Sequence, residues 1–486
     1  MKFHLQYIIA NKGSFVYMRN IKIFAGIFTF IFGISLFSSL CGTVEAASGF
    51  APEFTVYSEG VYMVNLDTDI VMYQKNANEK FYPASTTKIM TAIVAMENIS
   101  DLDAYVTIGY DATNEFWEGD PNKEGPSNAA LEAGQTNITY RDCLYTLMVA
   151  SACESANILA INIFGSIDAF VAKMNEKAAQ LGCANTHFSN THGLWEADNY
   201  STPYDMFLIS KYAYEKVPGF IEMCDTTEWI LPANKYNPDG YTKYTTNVLI
   251  RNIAENPFYY EYAHGIKTGS IDYYWDSEGN KHEGGRCLVS TAKKNGYNYM
   301  LITMWAPYFN DDGESYNYAA LDHVNLYKWV FDTFQYTTVL TTNDVVGEIT
   351  VEQGDGADHV TLSPNGDYST LLPYYLDLST VQQVITKPDT IKAPIERGEV
   401  LGTIELRLGG ETLTTVDLVA NRSIERSQIA YITEQIQSVI DTGWFKALVI
   451  ILILLILADV VLICLRNRQR RIEAKRKARK SRNMYR

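Results

Sequence analysis

The apolar residues of the chain form two long runs near its ends, with mixed strand and helix patterns between them. The first run covers residues 23–40, and the second covers 447–465, where nearly every residue is Leu, Ile, Val or Ala. About twenty helical residues, at 1.5 Å each, cross the roughly 30 Å hydrocarbon layer of a bilayer. The second run therefore predicts a transmembrane helix, which Asp459 alone interrupts with a charge.

The region between the first run and about residue 336 alternates between strand and helix periods. Apolar residues at every second position predict strands at 60–66 and 70–74, and an apolar run at helical spacing after Pro83 predicts a helix. The same patterns predict helices at 140–150 and 154–163, and strands at 263–266, 286–293 and 299–305. The acidic stretch 111–135 is predicted to be irregular, and a polar stretch of about fourteen residues precedes the strand at 286.

From about residue 337 the pattern changes, because helical periodicity stops and Thr, Val and Gly become frequent. Short alternating segments follow at 347–351, 359–362, 381–385, 401–408 and 412–418. They predict a separate all-β domain. Beyond it, Ile429, Ile432, Ile436 and Val439 mark one face of an amphipathic helix, which is expected to pack on the β domain or to lie at a membrane surface.

The residues that flank the two apolar runs predict how the chain is oriented. Four basic residues precede the first run, and small residues follow it at 44–46, as in an export signal. Met18 is an alternative start, and lipidation of Cys41 is disfavoured by Leu40 before it. Eleven Lys or Arg follow residue 465, which is typical of a cytoplasmic flank rather than a nucleic-acid site.

Net charge and cysteine usage exclude several classes of function. The chain carries a formal charge of −16 although its leader and tail are basic, so the exported part is more acidic still. Such a surface argues against binding to DNA, RNA or anionic lipid. The five cysteines of the exported part are scattered, and no Cys or His spacing suggests a metal site or a disulfide framework.

Ser85-x-x-Lys88 is the first candidate for chemistry. Residues three apart at the start of a helix lie on one face, so the Lys amine can take the proton of the Ser hydroxyl and make it a nucleophile. The same spacing recurs at Ser290 and Lys293, but there it falls within a predicted strand, where residues three apart point to opposite faces. The spacing alone therefore identifies no site.

Two later segments carry further candidates. Ser151-Ala152-Cys153 lies between two predicted helices, where the Ser either enters a cleft or merely caps the second helix. Lys267-Thr268-Gly269 follows a short strand, where the Lys and Thr can bind a carboxylate and the Gly lets a backbone approach. The alternative for the Lys is an exposed edge-strand position. His192 lacks partners at ligand spacing and is expected to be a structural loop residue.

In this order the three motifs resemble those of the D-alanyl-D-alanine carboxypeptidases, the low-molecular-mass penicillin-binding proteins of the penicilloyl-serine transferase superfamily. The resemblance extends from about residue 60 to 422 and includes segments 285–289 and 393–398. It implies an α+β fold of the serine β-lactamase and DD-peptidase type, with an antiparallel sheet, flanking helices and a helical lobe. The all-β domain would follow as a stalk.

The resemblance also implies a role for each motif. Ser85 would attack the carbonyl between the two terminal D-alanines of a peptidoglycan stem peptide, with Lys88 as its base and Ser151 relaying a proton. Lys267, Thr268, Gly269 and Cys153 would bind substrate, and the N–H of Ser85 and one after Gly269 would form the oxyanion hole. β-lactams would act as covalent inhibitors. Neither a metal nor another cofactor is expected.

Two departures from the family pattern leave alternatives open. Cys153 stands where the second motif usually ends in Asn, although Ser155-Ala156-Asn157 offers a rival register that keeps the Asn. An insert also follows Gly269, through residue 284. A DD-transpeptidase and a catalytically weak penicillin-binding or wall-binding protein are the competing functions. A β-lactamase is disfavoured, because no Glu-x-x-Leu-Asn segment follows the second motif.

These observations together predict a single-pass protein of the cell membrane, with its catalytic domain outside and its tail in the cytoplasm. The expected layout is a signal peptide (1–46), a catalytic domain (47–336), a stalk domain (337–422), an amphipathic linker helix (423–445), a transmembrane helix (446–465) and a basic tail (466–486).

Overall fold

A computed structural model describes residues 50–117, 120–123 and 125–482. The predicted signal peptide lies outside the described residues. The chain divides into two compact units, Met1–Gln335 with Leu372–Tyr374, and Tyr336–Leu371 with Tyr375–Arg486. The sequence-based boundary at 336/337 lies next to this division.

The first unit is built on a five-stranded antiparallel sheet with the strand order β2-β1-β7-β6-β5. A separate hairpin pairs β3 with β4. The strands are β1 (Gly60–Asn65), β2 (Val71–Lys75), β3 (Glu228–Leu231), β4 (Tyr241–Tyr244), β5 (Ala263–Trp275), β6 (Lys281–Lys294) and β7 (Tyr297–Pro307). All six residues of β1 are buried, as expected for a strand inside a sheet that is covered on both faces.

The helices of this unit include a helical lobe beside the sheet. They are α1 (Lys88–Asn98), α2 (Tyr140–Val149), α3 (Cys153–Phe164), α4 (Ile167–Gln180), α5 (Pro203–Lys216), α6 (Phe220–Cys224) and α7 (Tyr318–Thr333). Helix α1 contacts α2, α3 and α4, and its first eight residues are all buried. A helix that is apolar around most of its circumference belongs in a core. The lobe is therefore packed around the helix that carries Lys88.

The polar stretch before residue 286 forms a hairpin, which the sequence pattern does not predict. Strands β5 and β6 continue past Gly269 and pair as far as Trp275 and Lys281. At the tip, the Asp276 carboxylate accepts the N–H groups of Glu278 and Asn280, which closes the turn. Most side chains of this extension are exposed or half-buried, so it has no apolar face whose period could predict strands.

The second unit is an all-β domain followed by two helices, as the pattern after residue 337 predicts. Its six-stranded sheet has the order β12-β14-β15-β10-β9-β13, and β8 pairs with β11. The strands are β8 (Phe334–Leu340), β9 (Gly347–Glu352), β10 (His359–Pro364), β11 (Tyr368–Pro373), β12 (Gln382–Thr386), β13 (Thr390–Lys392), β14 (Val400–Leu408) and β15 (Glu411–Ala420). Alternate residues such as Ile349, Ile404 and Leu406 are fully buried in its core.

Helices α8 (Gln428–Asp441) and α9 (Gly443–Arg482) end the chain. The apolar stripe of α8 is exposed, from 81% at Ile429 to 42% at Val439, so it does not pack on the β domain. Within α9, residues Gly443–Lys480 are long and apolar enough to cross a membrane, with a mean hydropathy of 3.5 over the most apolar window.

Candidate active site

Ser85 lies in a tight turn that leads into α1. Ala84–Thr87 form a 3₁₀ helix, in which Ala84 has the left-handed φ of +49°. The carbonyl of Pro83 accepts the N–H and the hydroxyl of Thr86, at 3.2 and 2.6 Å. This turn leaves Ser85 half-exposed while the residues around it are buried.

Lys88 is completely buried next to the Ser85 hydroxyl. Its Nζ lies 2.9 Å from Ser85 Oγ, 2.6 Å from the carbonyl oxygen of His192 and 3.4 Å from Cys153 Sγ. Burial lowers the pKa of Lys88 below the usual Lys value, and the nearby Cys153 only partly opposes this shift. A neutral amine at this distance can accept the Ser85 proton.

Ser151 and Cys153 occupy the corner between α2 and α3. Ser151 has a left-handed φ of +59°, and Ala152, without a side-chain cap, is the N-cap of α3. The reading of Ser151 as a helix cap is therefore wrong. Within the described part of the chain, the Ser151 hydroxyl forms no hydrogen bond, so it remains available to a ligand in the cleft.

The Cys153 side chain faces the Lys88 amine rather than solvent. Only 1% of Cys153 is exposed, and its N–H donates to the carbonyl of Ser127 at 2.9 Å. Burial raises the pKa of the Cys153 thiol, although Lys88 acts in the opposite direction. The group at this position is therefore a neutral thiol that contacts the Lys88 amine.

The rival register at 155–157 serves the packing of the lobe. Ser155 Oγ lies 2.8 Å from Thr146 Oγ1 on α2. Asn157 Oδ1 accepts the Thr191 hydroxyl at 2.6 Å, and both Ser155 and Asn157 are fully buried. Neither lines the cleft, whereas Ser151 and Cys153 both do.

Strand β5 brings the third motif against the Ser85 turn. A Cβ atom on Gly269 would lie 3.0 Å from the Pro83 oxygen and 3.1 Å from the Ser85 nitrogen, so the close approach requires glycine. Thr268 Oγ1 lies 2.5 Å from Thr246 Oγ1. Gly269 thus leaves room for the turn that carries Ser85, whereas the sequence suggests that it leaves room for a substrate backbone.

Lys267 is buried behind this edge. It is 1% exposed, so its reading as an exposed edge-strand Lys is wrong, and its Nζ donates to the Thr268 carbonyl at 2.9 Å. Burial, and then the nearby Lys88, lower the pKa of Lys267 well below the usual Lys value. Two amines with lowered pKa values therefore stand behind one cleft.

The cleft encloses about 500 Å³. Five of the predicted site residues line it, namely Ser85, Ser151, Cys153, Thr268 and Gly269. Arg286 also lines it, held by a 2.7 Å hydrogen bond to Ser315 and by the Tyr308 ring, whose centroid is 3.9 Å away. The sequence places Arg286 only in the family-like segment 285–289, because its position at the cleft depends on how the sheet packs against the Ser85 turn.

The segment around His192 supports the nucleophile turn through its backbone. Gly193 has a left-handed φ of +81°, and a Cβ there would lie 1.9 Å from the Ala84 carbonyl oxygen. The His192 carbonyl binds Lys88, while its ring nitrogen Nδ1 accepts the N–H of Leu194 at 3.2 Å. The expectation of a structural loop residue agrees with this placement. In the described ranges, no cluster of three His, Cys, Asp or Glu side chains is arranged to hold a metal ion.

The second Ser-x-x-Lys segment is not a nucleophile and base. Ser290 is completely buried, 2.7 Å from His323 Nδ1 and 2.9 Å from the Tyr327 hydroxyl, whereas Lys293 is exposed. The two side chains point to opposite faces of β6, as the strand pattern predicts.

Comparison with known proteins identifies the same family that the three sequence motifs resemble. The family model described as D-alanyl-D-alanine carboxypeptidase matches residues 46–307, and the model of the penicillin-binding protein 5 C-terminal domain matches 334–426. D-alanyl-D-alanine carboxypeptidase DacF of Bacillus subtilis is 28% identical over 377 residues, which cover 76% of this chain and 86% of the relative. The D-alanyl-D-alanine carboxypeptidase of Streptomyces sp. strain K15 is 32% identical over 277 residues, which cover 54% and 85%.

Solved structures share the fold. Penicillin-binding protein 5 of Haemophilus influenzae aligns with 78% of this chain and 100% of its own, with a TM-score of 0.52 and 22% identity. D-alanyl-D-alanine carboxypeptidase DacD of Francisella tularensis aligns with 80% and 98%, with a TM-score of 0.56 and 20% identity. Since the first family model alone covers more than half of the sequence, the chain belongs to the D-alanyl-D-alanine carboxypeptidase family of low-molecular-mass penicillin-binding proteins.

Proposed function

We propose that this protein is a membrane-anchored serine-type carboxypeptidase that removes the terminal D-alanine from peptidoglycan stem pentapeptides through an acyl-serine intermediate. The observation that carries the proposal is the contact between a buried Lys88 amine and the Ser85 hydroxyl at the edge of a cleft. A neutral amine and a hydroxyl at hydrogen-bond distance form a base and nucleophile pair.

In acylation, Lys88 takes the proton of Ser85 as Oγ attacks the carbonyl carbon between the two D-alanines. As negative charge develops on the carbonyl oxygen, the N–H of Ser85 and one from the strand after Gly269 donate hydrogen bonds to it. Each such hydrogen bond stabilises the transition state by about 3–4 kcal/mol in serine hydrolases. Ser151 gives its proton to the departing D-alanine amine, with help from Lys267, and takes one back from the Lys88 ammonium, which restores the neutral amine. Water then attacks the acyl-serine ester, which releases the shortened peptide and restores the Ser85 hydroxyl.

The carboxylate of the terminal D-alanine determines that the enzyme acts at chain ends. Thr268 presents a hydroxyl at the cleft wall, with the Lys267 amine behind it. Arg286 adds a planar guanidinium, whose paired N–H donors match the geometry of a carboxylate. A substrate without a free terminal carboxylate leaves these groups without their partner, and we expect it to react slowly.

Cys153 supports a second candidate function. Its thiol replaces the amide that would bind the substrate carbonyl, and it contacts the base instead. A change at this position alters how the amine that accepts the acyl group is held, so a DD-transpeptidase is the specific alternative function. A catalytically weak binding protein is the other alternative.

The experiment that decides among these functions uses purified enzyme and a synthetic stem pentapeptide, with and without an amine acceptor. The carboxypeptidase proposal expects stoichiometric D-alanine and a free-acid tetrapeptide even when the acceptor is present. A product that is mainly the aminolysed peptide establishes the transpeptidase. If the wild type releases no more D-alanine than Ser85→Ala, both enzymatic proposals fail.

The membrane topology is part of the same proposal. Helix α9 would span the bilayer, and its basic C-terminal end would remain in the cytoplasm by the positive-inside rule. The catalytic unit would then face the cell wall. In intact protoplasts, an added protease should remove the catalytic unit and leave a C-terminal epitope protected, and the reverse pattern would refute this orientation.

A further inference from the structure

A second cavity, of about 380 Å³, lies beside the catalytic cleft. Its walls are mainly aromatic rings, and we call it the aromatic cavity. Lys80, Phe81, Tyr82, Tyr200, Tyr274 and Trp305 line it, with Ala197 at its rim. Each of the five aromatic side chains is half-buried, so each keeps part of its surface in the cavity. None of these residues has a part in the acyl-transfer steps described above.

A distortion of the backbone at Trp305 sets the direction of its side chain. The register of β6 and β7 shifts so that Met304 and Trp305 lie opposite Cys287 alone, which is a β-bulge. Trp305 has a left-handed φ of +59°, a strained conformation that bulky residues rarely adopt. One side of its indole packs on Gly285, where a Cβ would lie 2.9 Å from the ring. Strained residues of this kind concentrate at binding sites.

The walls of the aromatic cavity and of the catalytic cleft touch each other. Trp195 lines the cleft and stacks on Tyr274 of the cavity, with ring centroids 5.0 Å apart. The Tyr82 ring contacts Trp195, Tyr274 and Trp305 at centroid distances of 5.5–5.8 Å. Tyr82 also stands three residues before Ser85. A molecule that reacts at Ser85 can therefore extend into the cavity without leaving the surface.

We propose that the aromatic cavity binds an N-acetylated amino sugar of the glycan strand that carries the stem peptide, an inference that rests on the function proposed above. A pyranose ring has apolar C–H faces, whose hydrogens match the negative face of an aromatic ring, and a rim of hydroxyl and amide groups. Aromatic walls with the charged Lys80 and backbone at the rim fit such a ring. The volume also suits one ring of this size.

The length of the stem peptide agrees with this placement. At about 3.3 Å per residue, the four residues between the sugar and the scissile bond reach roughly 13 Å. The three residues from Tyr82 to Ser85 reach at most about 10 Å by the same measure. A substrate held at both ends loses less freedom in the transition state, so the sugar site would raise kcat/KM for glycan-linked stems.

The kinetic test compares two substrates that share one stem, a muropeptide with a pentapeptide stem and the free pentapeptide. Tyr200→Ala removes one wall of the cavity, and Tyr105→Ala, at a 69% exposed tyrosine of the same unit, is the matched control. We expect Tyr200→Ala to lower kcat/KM about tenfold for the muropeptide and to leave the free pentapeptide within about twofold. Equal effects on both substrates, or none on either, overturn the inference.

A binding test separates this inference from the proposed function. Ser85→Ala enzyme is titrated with an N-acetylglucosamine tetramer while tryptophan fluorescence is recorded, since Trp305 lines the cavity and Trp195 contacts two of its rings. We expect a saturable change that Tyr200→Ala abolishes and Tyr105→Ala preserves. If the tetramer binds in this way but the wild type releases no D-alanine, the carboxypeptidase proposal fails and the sugar site stands. If D-alanine is released and the tetramer does not bind, the sugar site is refuted.

Discussion

Replacing Gly193 by Ala tests whether the nucleophile turn depends on close support from the neighbouring backbone. The new Cβ would lie 1.9 Å from the Ala84 carbonyl oxygen, 2.5 Å from its carbon and 2.8 Å from Thr87 Oγ1. The first two atoms are backbone and cannot rotate away as a side chain would. The turn must therefore move by at least about 1.5 Å before ordinary van der Waals distances return.

The expected loss follows from that displacement. Misplacing a reacting group by about 1 Å costs roughly 100-fold in rate, which corresponds to about 2.7 kcal/mol of activation free energy. A non-glycine residue at the left-handed φ of +81° adds about 1–2 kcal/mol of destabilisation to the folded state. We therefore expect Gly193→Ala to fold, with a lowered melting temperature, and to be acylated about 100-fold more slowly.

Gly182→Ala separates the two effects. Gly182 has a φ of +83°, but a Cβ there meets nothing within 4 Å, so this variant carries the backbone strain without the collision. The assay is the second-order rate of labelling by a fluorescent penicillin, measured beside thermal unfolding. We expect Gly182→Ala to lose about 1–2 kcal/mol of stability and to keep wild-type acylation, whereas Gly193→Ala should lose at least as much stability and should lose acylation as well. Wild-type acylation in Gly193→Ala, or an equal loss in Gly182→Ala, would refute the reasoning.

Three further predictions concern buried polar groups. Because burial lowers the pKa of Lys88 below the usual 10.5, the acylation rate should fall with acid as the amine gains a proton, with the midpoint of the profile below pH 10.5; a midpoint at the ordinary value would contradict this. Glu154→Ala should lower the free energy of unfolding by about 2–4 kcal/mol in a denaturant titration, because its carboxylate accepts the N–H groups of Ala129 and Leu131, whereas Glu154→Gln should lose less. Ser290→Ala should lose about 1–3 kcal/mol of stability yet label with penicillin at the wild-type rate.

The elements that sequence patterns predicted are those with a strong local period. Residues 88–98 show helical spacing throughout, and the helix Lys88–Asn98 is buried over its first eight residues. The strands of the β domain likewise follow apolar alternation, as at His359–Pro364 and Val400–Leu408. The hairpin beyond Gly269 was not predicted, because two strands without a buried face show no alternation of apolar and polar residues.

The site was predictable in its motifs but not in its contacts. The local spacing of Ser85 and Lys88 is a property of one helix start, whereas the contact of Lys88 with Cys153 joins residues 65 positions apart. The contact of Lys88 with the His192 carbonyl spans 104 positions. Pairings of this kind depend on how helices and loops pack, which a single sequence does not specify. The position of Arg286 at the cleft was not predicted for the same reason.

The central claim is that Ser85 is the residue that becomes acylated, and mapping the acyl-enzyme tests it most directly. The purified protein is incubated with benzylpenicillin, its intact mass is measured, and the modified residue is located by peptide mass spectrometry, with Ser85→Ala and Ser290→Ala in parallel. We expect one penicilloyl group per chain, on Ser85, in the wild type and in Ser290→Ala, and none in Ser85→Ala. An adduct on any other residue, or no adduct on the wild type, would contradict the account.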